Sequence, residues 1–189
     1  MNRDELLNAI RTRMPEKRYV HTLGVMDTAI RLACVYGESA KDAETAAILH
    51  DVVKFADRDW MKQTIIHQQM DSNLLLFHHE LWHAPVGAYI AQHEFGVTNQ
   101  SVLDAIRYHT TGRAHMGTLE KIIFCADMIE PNRNFPGVDE LRQHDEQGLD
   151  ALTKLCVKQS IQFLVQKNQP VYPDSIHCYN DLVTRKENE

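Results

Sequence analysis

Eleven histidines is many for 189 residues, and four of them sit inside or against apolar, helix-spaced runs. His21 lies among Val20, Leu23 and Val25. His50 is followed by Asp51 directly after Ala46-Ala47-Ile48-Leu49. His83 precedes Ala84-Pro85-Val86-Gly87, His109 closes the run from Ala105, and Asp127 is embedded in the apolar stretch 122–129. A carboxylate within an apolar face is costly unless a cation compensates it. Taken singly, each residue has an ordinary explanation, such as a hydrogen-bonded core histidine or a surface pair. Six of them in one small chain point to a metal site. Imidazole and carboxylate donors without thiolate suit iron, manganese, cobalt, nickel or zinc, and disfavour calcium, which takes all-oxygen cages. A divalent ion in such a site lowers the pKa of bound water from ~15.7 towards ~7, which supplies hydroxide at neutral pH.

The elements that must carry these groups read as helices almost throughout. Leu6, Leu7, Ile10 and Met14 mark a first helix ending at Pro15. A second spans about 16–36, with Gly37 as its stop, and a third about 40–55. Further helices are expected near 59–69, 85–95, 99–108 and 119–129, the last ended by Pro131, then near 145–168 and 174–185. Segments 70–82, 110–118 and 131–144 are expected to be irregular. There is no sustained period-two alternation, no internal repeat and no low-complexity linker, so the expected class is all-α in a single domain. On the third helix Lys54 would share a face with His50 and Asp51, and Arg18 would share one with His21.

Composition narrows the functions. The net charge is −6, so no excess of cations is available to displace counterions from DNA, RNA or anionic lipid. Nucleic-acid and membrane partners are therefore not expected. A phosphorylated ligand would need local positive charge, from a metal or a few placed Lys and Arg. Cys34, Cys125, Cys156 and Cys178 are far apart and form no C-x-x-C pair, which favours reduced thiols and a cytoplasmic location. The amphipathic, charged N-terminus is not a signal peptide, and no apolar run reaches the ~20 residues of a membrane span.

The order His21, His50-Asp51, His83, His109, Asp127 resembles the HD superfamily of metal-dependent phosphohydrolases. It is closest to the branch of symmetrical bis(5′-nucleosyl)-tetraphosphatases. The segments that carry the likeness are 18–25, 46–54, 83–91, 105–113 and 119–138, with a weaker echo at 172–180. The resemblance implies one compact HD-domain helical bundle over 1–189, its metal core at about 16–138 and C-terminal helices at about 145–185. It implies that His21, His50, Asp51 and Asp127 ligate a first ion, iron before manganese, cobalt, nickel or zinc. Asp51 would bridge to a second ion, if present, held by His83 and His109; otherwise those histidines face substrate. Catalysis would rest on Asp51, Lys54, His83 and His109. Substrate would touch Arg18, His21, His83, His109, Thr110, Thr111, Arg113 and Arg133. The implied reaction splits diadenosine tetraphosphate, a small-molecule nucleotide, into two ADP through a metal-bound hydroxide. Alternatives are a deoxynucleotide or alarmone phosphohydrolase sharing the metal site, and a non-catalytic nucleotide sensor. A homodimer is left open, as is gating by the loop 70–82. Solvated or loop positions are expected for His67, His78, His79, His93, His115, His144 and His177.

Overall fold

The structure is a computed structural model that describes residues 1–145 and 147–184. Among these residues there are ten α-helices and no strand. In chain order they are α1 (Arg3–Arg11), α2 (Glu16–Tyr36), α3 (Ala40–Leu49), α4 (Arg58–His67), α5 (His83–His93), α6 (Gln100–Tyr108), α7 (Thr118–Ile129), α8 (Val138–Gln143), α9 (Leu149–Gln166) and α10 (Pro173–Thr184). The all-α expectation holds, and the second helix has the bounds expected of it.

Local signals explain most of the boundaries. Asn2, Ser39, Asp57 and Asn99 each accept a backbone N–H in the first turn of α1, α3, α4 and α6, satisfying donors that a helix start leaves unpaired. Gly37 ends α2 with φ +70°, a left-handed conformation that is strained for any residue with a Cβ. At the C-terminal end, Arg185 lies outside the described residues.

Two expectations are corrected. The third helix does not run to residue 55: it stops at Leu49, and the chain continues in successive tight turns, with Val52 N–H donating to Leu49 O, Lys54 N–H to Asp51 O and Ala56 N–H to Val53 O. His50, Asp51 and Lys54 are therefore related by turn geometry rather than by a helix face. The segment 131–144 is not wholly irregular, since it contains α8, whose Val138 and Leu141 are buried one helical turn apart. Within 70–82 the chain forms two single turns of 3₁₀-helix, Ser72–Leu76 and His79–Leu81.

α7 is the centre of the packing. It meets α2, α6, α9, α3 and α8, and Ile122, Ile123, Phe124, Cys125 and Ala126 are all buried. A helix apolar on every side has to be surrounded, and each fully buried Ile or Phe stabilises by roughly 1.5–3 kcal/mol. α2 packs on α3 and α7, while α6 packs on α5 and α7. This arrangement brings His50, His83, His109 and Asp127, at or near the ends of α3, α5, α6 and α7, close to His21 in the first turns of α2. The four cysteines are free thiols, with Cys34 exposed and the others buried. No helix among the described residues is long and apolar enough to cross a membrane.

Candidate metal centre

Four imidazoles converge on one buried carboxylate, and backbone geometry aims each ring. His50 is the residue that closes α3 and His109 the residue that closes α6. The last carbonyls of a helix have no partner within it. Each ring folds back so that Nδ1 meets the carbonyl three residues earlier, 2.6 Å to Ala47 O for His50 and 2.7 Å to Ile106 O for His109. His83, at the start of α5, does the same with Glu80 O at 2.6 Å. A carbonyl can only accept, so Nδ1 carries the proton and Nε2 is left as a bare lone pair.

His21 has a different backing. Its Nδ1 lies 3.0 Å from Glu130 Oε1, and Glu130 is about 1% exposed. The other oxygen of Glu130 accepts from Asn132 N–H at 2.7 Å and from Asn132 Nδ2 at 3.0 Å. Pro131 accounts for this placement: a residue before proline is pushed out of the helical region, and Glu130 adopts φ −53°, ψ 151°, which turns its side chain back onto α2. Gly24 leaves the space, because a Cβ there would stand 2.3 Å from Glu130 Oε2. Glu130 was not among the residues expected from the sequence. Its one signal was to be the other charged residue closing the apolar stretch that holds Asp127.

Asp51, about 3% exposed, divides its two oxygens. Oδ2 is 3.2 Å from His50 Nε2 and 3.9 Å from His21 Nε2, whereas Oδ1 is 3.1 Å from His83 Nε2 and 3.8 Å from His109 Nε2. The two groups that could hold an ion are thus His21/His50/Asp51 and Asp51/His83/His109, each with donor atoms within 4.8 Å of one another. Asp127 Oδ1 adjoins the first group at 3.0 Å from His21 Nε2. That approach lacks hydrogen-bond alignment, since Nε2 of His21 and Nε2 of His50 are both buried with no hydrogen-bond partner. His83 Nε2 and His109 Nε2 are 3.1 Å apart.

Lone pairs facing lone pairs and carboxylate oxygens need a cation between them. With metal–ligand bonds of ~2.1 Å, neighbouring donors around one ion lie ~3.0–3.4 Å apart. The His50–Asp51, His83–Asp51 and His21–Asp127 pairs have that spacing at 3.0–3.2 Å, and His21 and His109 stand 3.9 and 3.8 Å from Asp51. Carboxylate or carbonyl partners on the far nitrogen of every histidine are the usual support of imidazole ligands. The donor set fits a divalent metal.

Electrostatics agree. Burial works against a charged Asp51, but attraction to His50 and the close approach of the His109 and His83 rings outweigh it and hold its pKa well below the ordinary 3.8. Burial likewise opposes charge on Asp127, and the Arg133 guanidinium and His21 prevail, again well below 3.8. His50 is raised above 6.5 because Asp51 and Asp127 overcome its burial, while burial, aided by His109 and Lys54, lowers His83 to about 4. These shifts give an acid-stability expectation for the metal-free protein. Asp51 and Asp127 stabilise the fold above the unfolded value of ~3.9 and lose that contribution as pH falls through their folded values. The contribution of His50 is complete below ~6.5 and is lost as pH rises through its folded value. His83 opposes it, because the unfolded chain takes up a proton that the folded chain refuses until about 4. With the histidines offsetting, the melting temperature should change little between pH 7 and ~5 and drop below ~4. A melting temperature that rises below pH 4 would contradict this account.

The basic residues fall into three groups. Arg18 donates to Asp51 Oδ2 at 2.8 Å, and Arg133 donates to Asp127 O at 2.7 Å and to the Asp127 carboxylate, so both lie at the centre. Lys54 pairs with Glu80 at 2.7 Å and approaches His83 Nδ1 at 3.3 Å. Arg113 is not brought to the centre. Its guanidinium is bound by both oxygens of buried Glu120, at 2.7 and 3.0 Å, and lies over the Tyr108 ring. Thr110 and Thr111 line a cavity with Arg107, Tyr108 and Tyr172, separate from the cleft lined by Arg133, and Thr111 Oγ1 donates to Gly112 O. Among the remaining histidines, His79 departs from a purely solvated position by lining a cleft with Lys54, Arg58 and His83.

Comparison with known proteins places this geometry. The HD domain family matches residues 18–132, more than half of the chain. A symmetrical bis(5′-nucleosyl)-tetraphosphatase of Bacillus subtilis is 52% identical over 184 residues, covering 97% of this chain and 99% of that protein. One from Halalkalibacterium halodurans is 46% identical over 187 residues, with 99% and 100% covered. The crystal structure of a predicted HD superfamily hydrolase involved in NAD metabolism, from Clostridium acetobutylicum, superposes with a TM-score of 0.93 at 34% identity, covering 98% of both chains. The buried His/Asp cluster and these likenesses together make the chain an HD-domain enzyme, a member of the symmetrical bis(5′-nucleosyl)-tetraphosphatase family.

Proposed function

We propose that this chain hydrolyses diadenosine tetraphosphate symmetrically to two ADP, using a divalent metal held by His21, His50, Asp51 and Asp127. The observation that carries the reading is the convergence of histidine Nε2 lone pairs on the two oxygens of Asp51, with no proton left to separate them. Iron is the first candidate, ahead of manganese, cobalt, nickel and zinc, all of which accept imidazole and carboxylate donors. Asp51, His83 and His109 form a second position, which takes another ion or faces substrate phosphate.

When bound, a divalent ion here acidifies a water at neutral pH and offsets charge on the phosphoryl oxygens. The chain supplies the rest. Arg18 and Arg133 spend part of their donors on Asp51 and Asp127. A guanidinium has five N–H groups, so each has donors left for phosphate. Lys54, next to His83, adds positive charge on the other flank, where charge develops in the transition state. His83, neutral at working pH because burial lowers it to about 4, presents a lone pair rather than a proton.

The position of bond cleavage tests the assignment. Hydrolysis in water labelled with heavy oxygen should place one label in ADP and form neither AMP nor ATP, since in-line attack at the second phosphorus from one end leaves two equal halves. Products of AMP and ATP would refute the symmetrical reading. Preferential attack on a deoxynucleoside phosphate or on an alarmone would move the function to another HD activity.

A further inference from the structure

A cleft of about 830 Å³ beside the candidate centre is lined by Arg18, Val20, His21, Phe55, Arg133 and Phe135 among others. That volume falls within the ~300–1,000 Å³ usual for small-molecule sites. The cavity beside Thr110 and Thr111 holds about 150 Å³, below that range. Phe55 is 51% exposed and Val20 41%, so neither owes its place to burial in the core. Phe55 follows Lys54 directly, and the backbone bonds that close the turns at Lys54 and Ala56 start from Asp51 and Val53. Its position is thereby tied to that of Asp51. The same ring also lines the adjoining cleft with Lys54, Arg58 and His83. Phe55 is thus shared by two clefts that hold more basic than acidic side chains, Lys17, Arg18 and Arg133 against Glu16 and Glu130 in the first, and Arg18, Lys54 and Arg58 against Glu80 in the second. It also lines a third with Arg13, Asp57 and Glu94.

An exposed aromatic face with cations on either side has the composition that takes a nucleobase by stacking while the cations take its phosphates. We propose that Phe55 is a specificity-determining residue: a stacking platform for one purine base of the substrate, whose phosphates run past Arg18 and Arg133 towards Asp51. The proposal rests on the reading of the substrate as a dinucleoside polyphosphate, and it assigns one nucleoside diphosphate half to the 830 Å³ cleft rather than to the Thr110 cavity.

The test uses the metal-loaded enzyme and its Phe55→Ala, Phe55→Leu and Phe55→Trp variants. Calorimetry measures binding of ADP and of inorganic pyrophosphate, and steady-state kinetics give KM for diadenosine tetraphosphate. Phe55→Ala should weaken ADP about 10-fold, the scale of base–aromatic stacking, and raise KM in step. Phe55→Trp should restore both and Phe55→Leu should not. Pyrophosphate affinity and melting temperature should stay near wild-type values, because the ring is half exposed and would meet the base rather than the phosphates. Unchanged ADP affinity in Phe55→Ala, an equal loss for pyrophosphate, or full rescue by Leu would each overturn the proposal. If the wild type fails to cleave diadenosine tetraphosphate while the ADP pattern holds, the platform stands and the proposed function falls. If the wild type cleaves it and Phe55→Ala leaves KM unaffected, the platform falls and the proposed function stands.

Discussion

Asp51→Asn should abolish metal retention and lower hydrolysis by on the order of 10³-fold, with helical circular dichroism preserved. Asp51 is the one residue shared by both three-donor groups, with His21 and His50 facing one oxygen and His83 and His109 the other. An amide of the same size keeps one acceptor but loses the charge and places an N–H against imidazole lone pairs or against Arg18. Metal polarisation supplies several kcal/mol of barrier lowering, and each ~1.36 kcal/mol is tenfold in rate. Removing one side of a buried ion pair is also destabilising, by roughly 3–5 kcal/mol. Arg18 retains 23% side-chain exposure and can turn to solvent, so the fold should survive with a lowered melting temperature. Metal analysis, circular dichroism and turnover on the same preparation check this together. His67→Ala, at an exposed position on α4, is the control and should keep wild-type activity. Full metal occupancy in Asp51→Asn would rule out Asp51 as a ligand.

Removing the carboxylate behind His21 should weaken metal binding ~10–100-fold, the usual scale for a partner that orients a ligand. Glu130→Gln retains the volume and still offers an oxygen to Nδ1–H, but the hydrogen bond is no longer charge-assisted. Gly24→Ala should act in the same direction from the opposite side, because its Cβ would overlap a carboxylate that is buried and held by Asn132. Glu130→Asp retracts the carboxylate by one methylene, so the double variant Gly24→Ala/Glu130→Asp should lose less affinity than the two single losses added. Such non-additivity marks residues that act on each other directly. Chelator competition measures the affinities without relying on turnover. Wild-type affinity in Gly24→Ala would mean that Glu130 does not position His21.

The candidate metal donors stood out in the sequence because each is a polar residue within or beside an apolar, helix-spaced run. His21, His50, Asp51, His83, His109 and Asp127 all interrupt buried faces, and a buried polar group needs a reason that can be read from its neighbours alone. Helix bounds were legible for the same local cause: Pro15, Gly37, Asn99 and Pro131 act through their own backbone chemistry. α8 escaped because six residues carry too little periodicity to stand out from a loop. Glu130 escaped because its partner is 109 residues away. Only the packing of α7 on α2 reveals that its carboxylate faces His21 rather than solvent. Arg113 reads as a substrate contact in the sequence, and only the fold shows that it is set against Glu120 of α7. The candidates for metal binding were thus marked by local hydrophobic pattern, and their assignment to ligand roles came from the family resemblance. Their division into two groups about Asp51, the backing of His21 and the exposure of Phe55 arise from contacts between distant segments, for which a one-dimensional pattern has no signal.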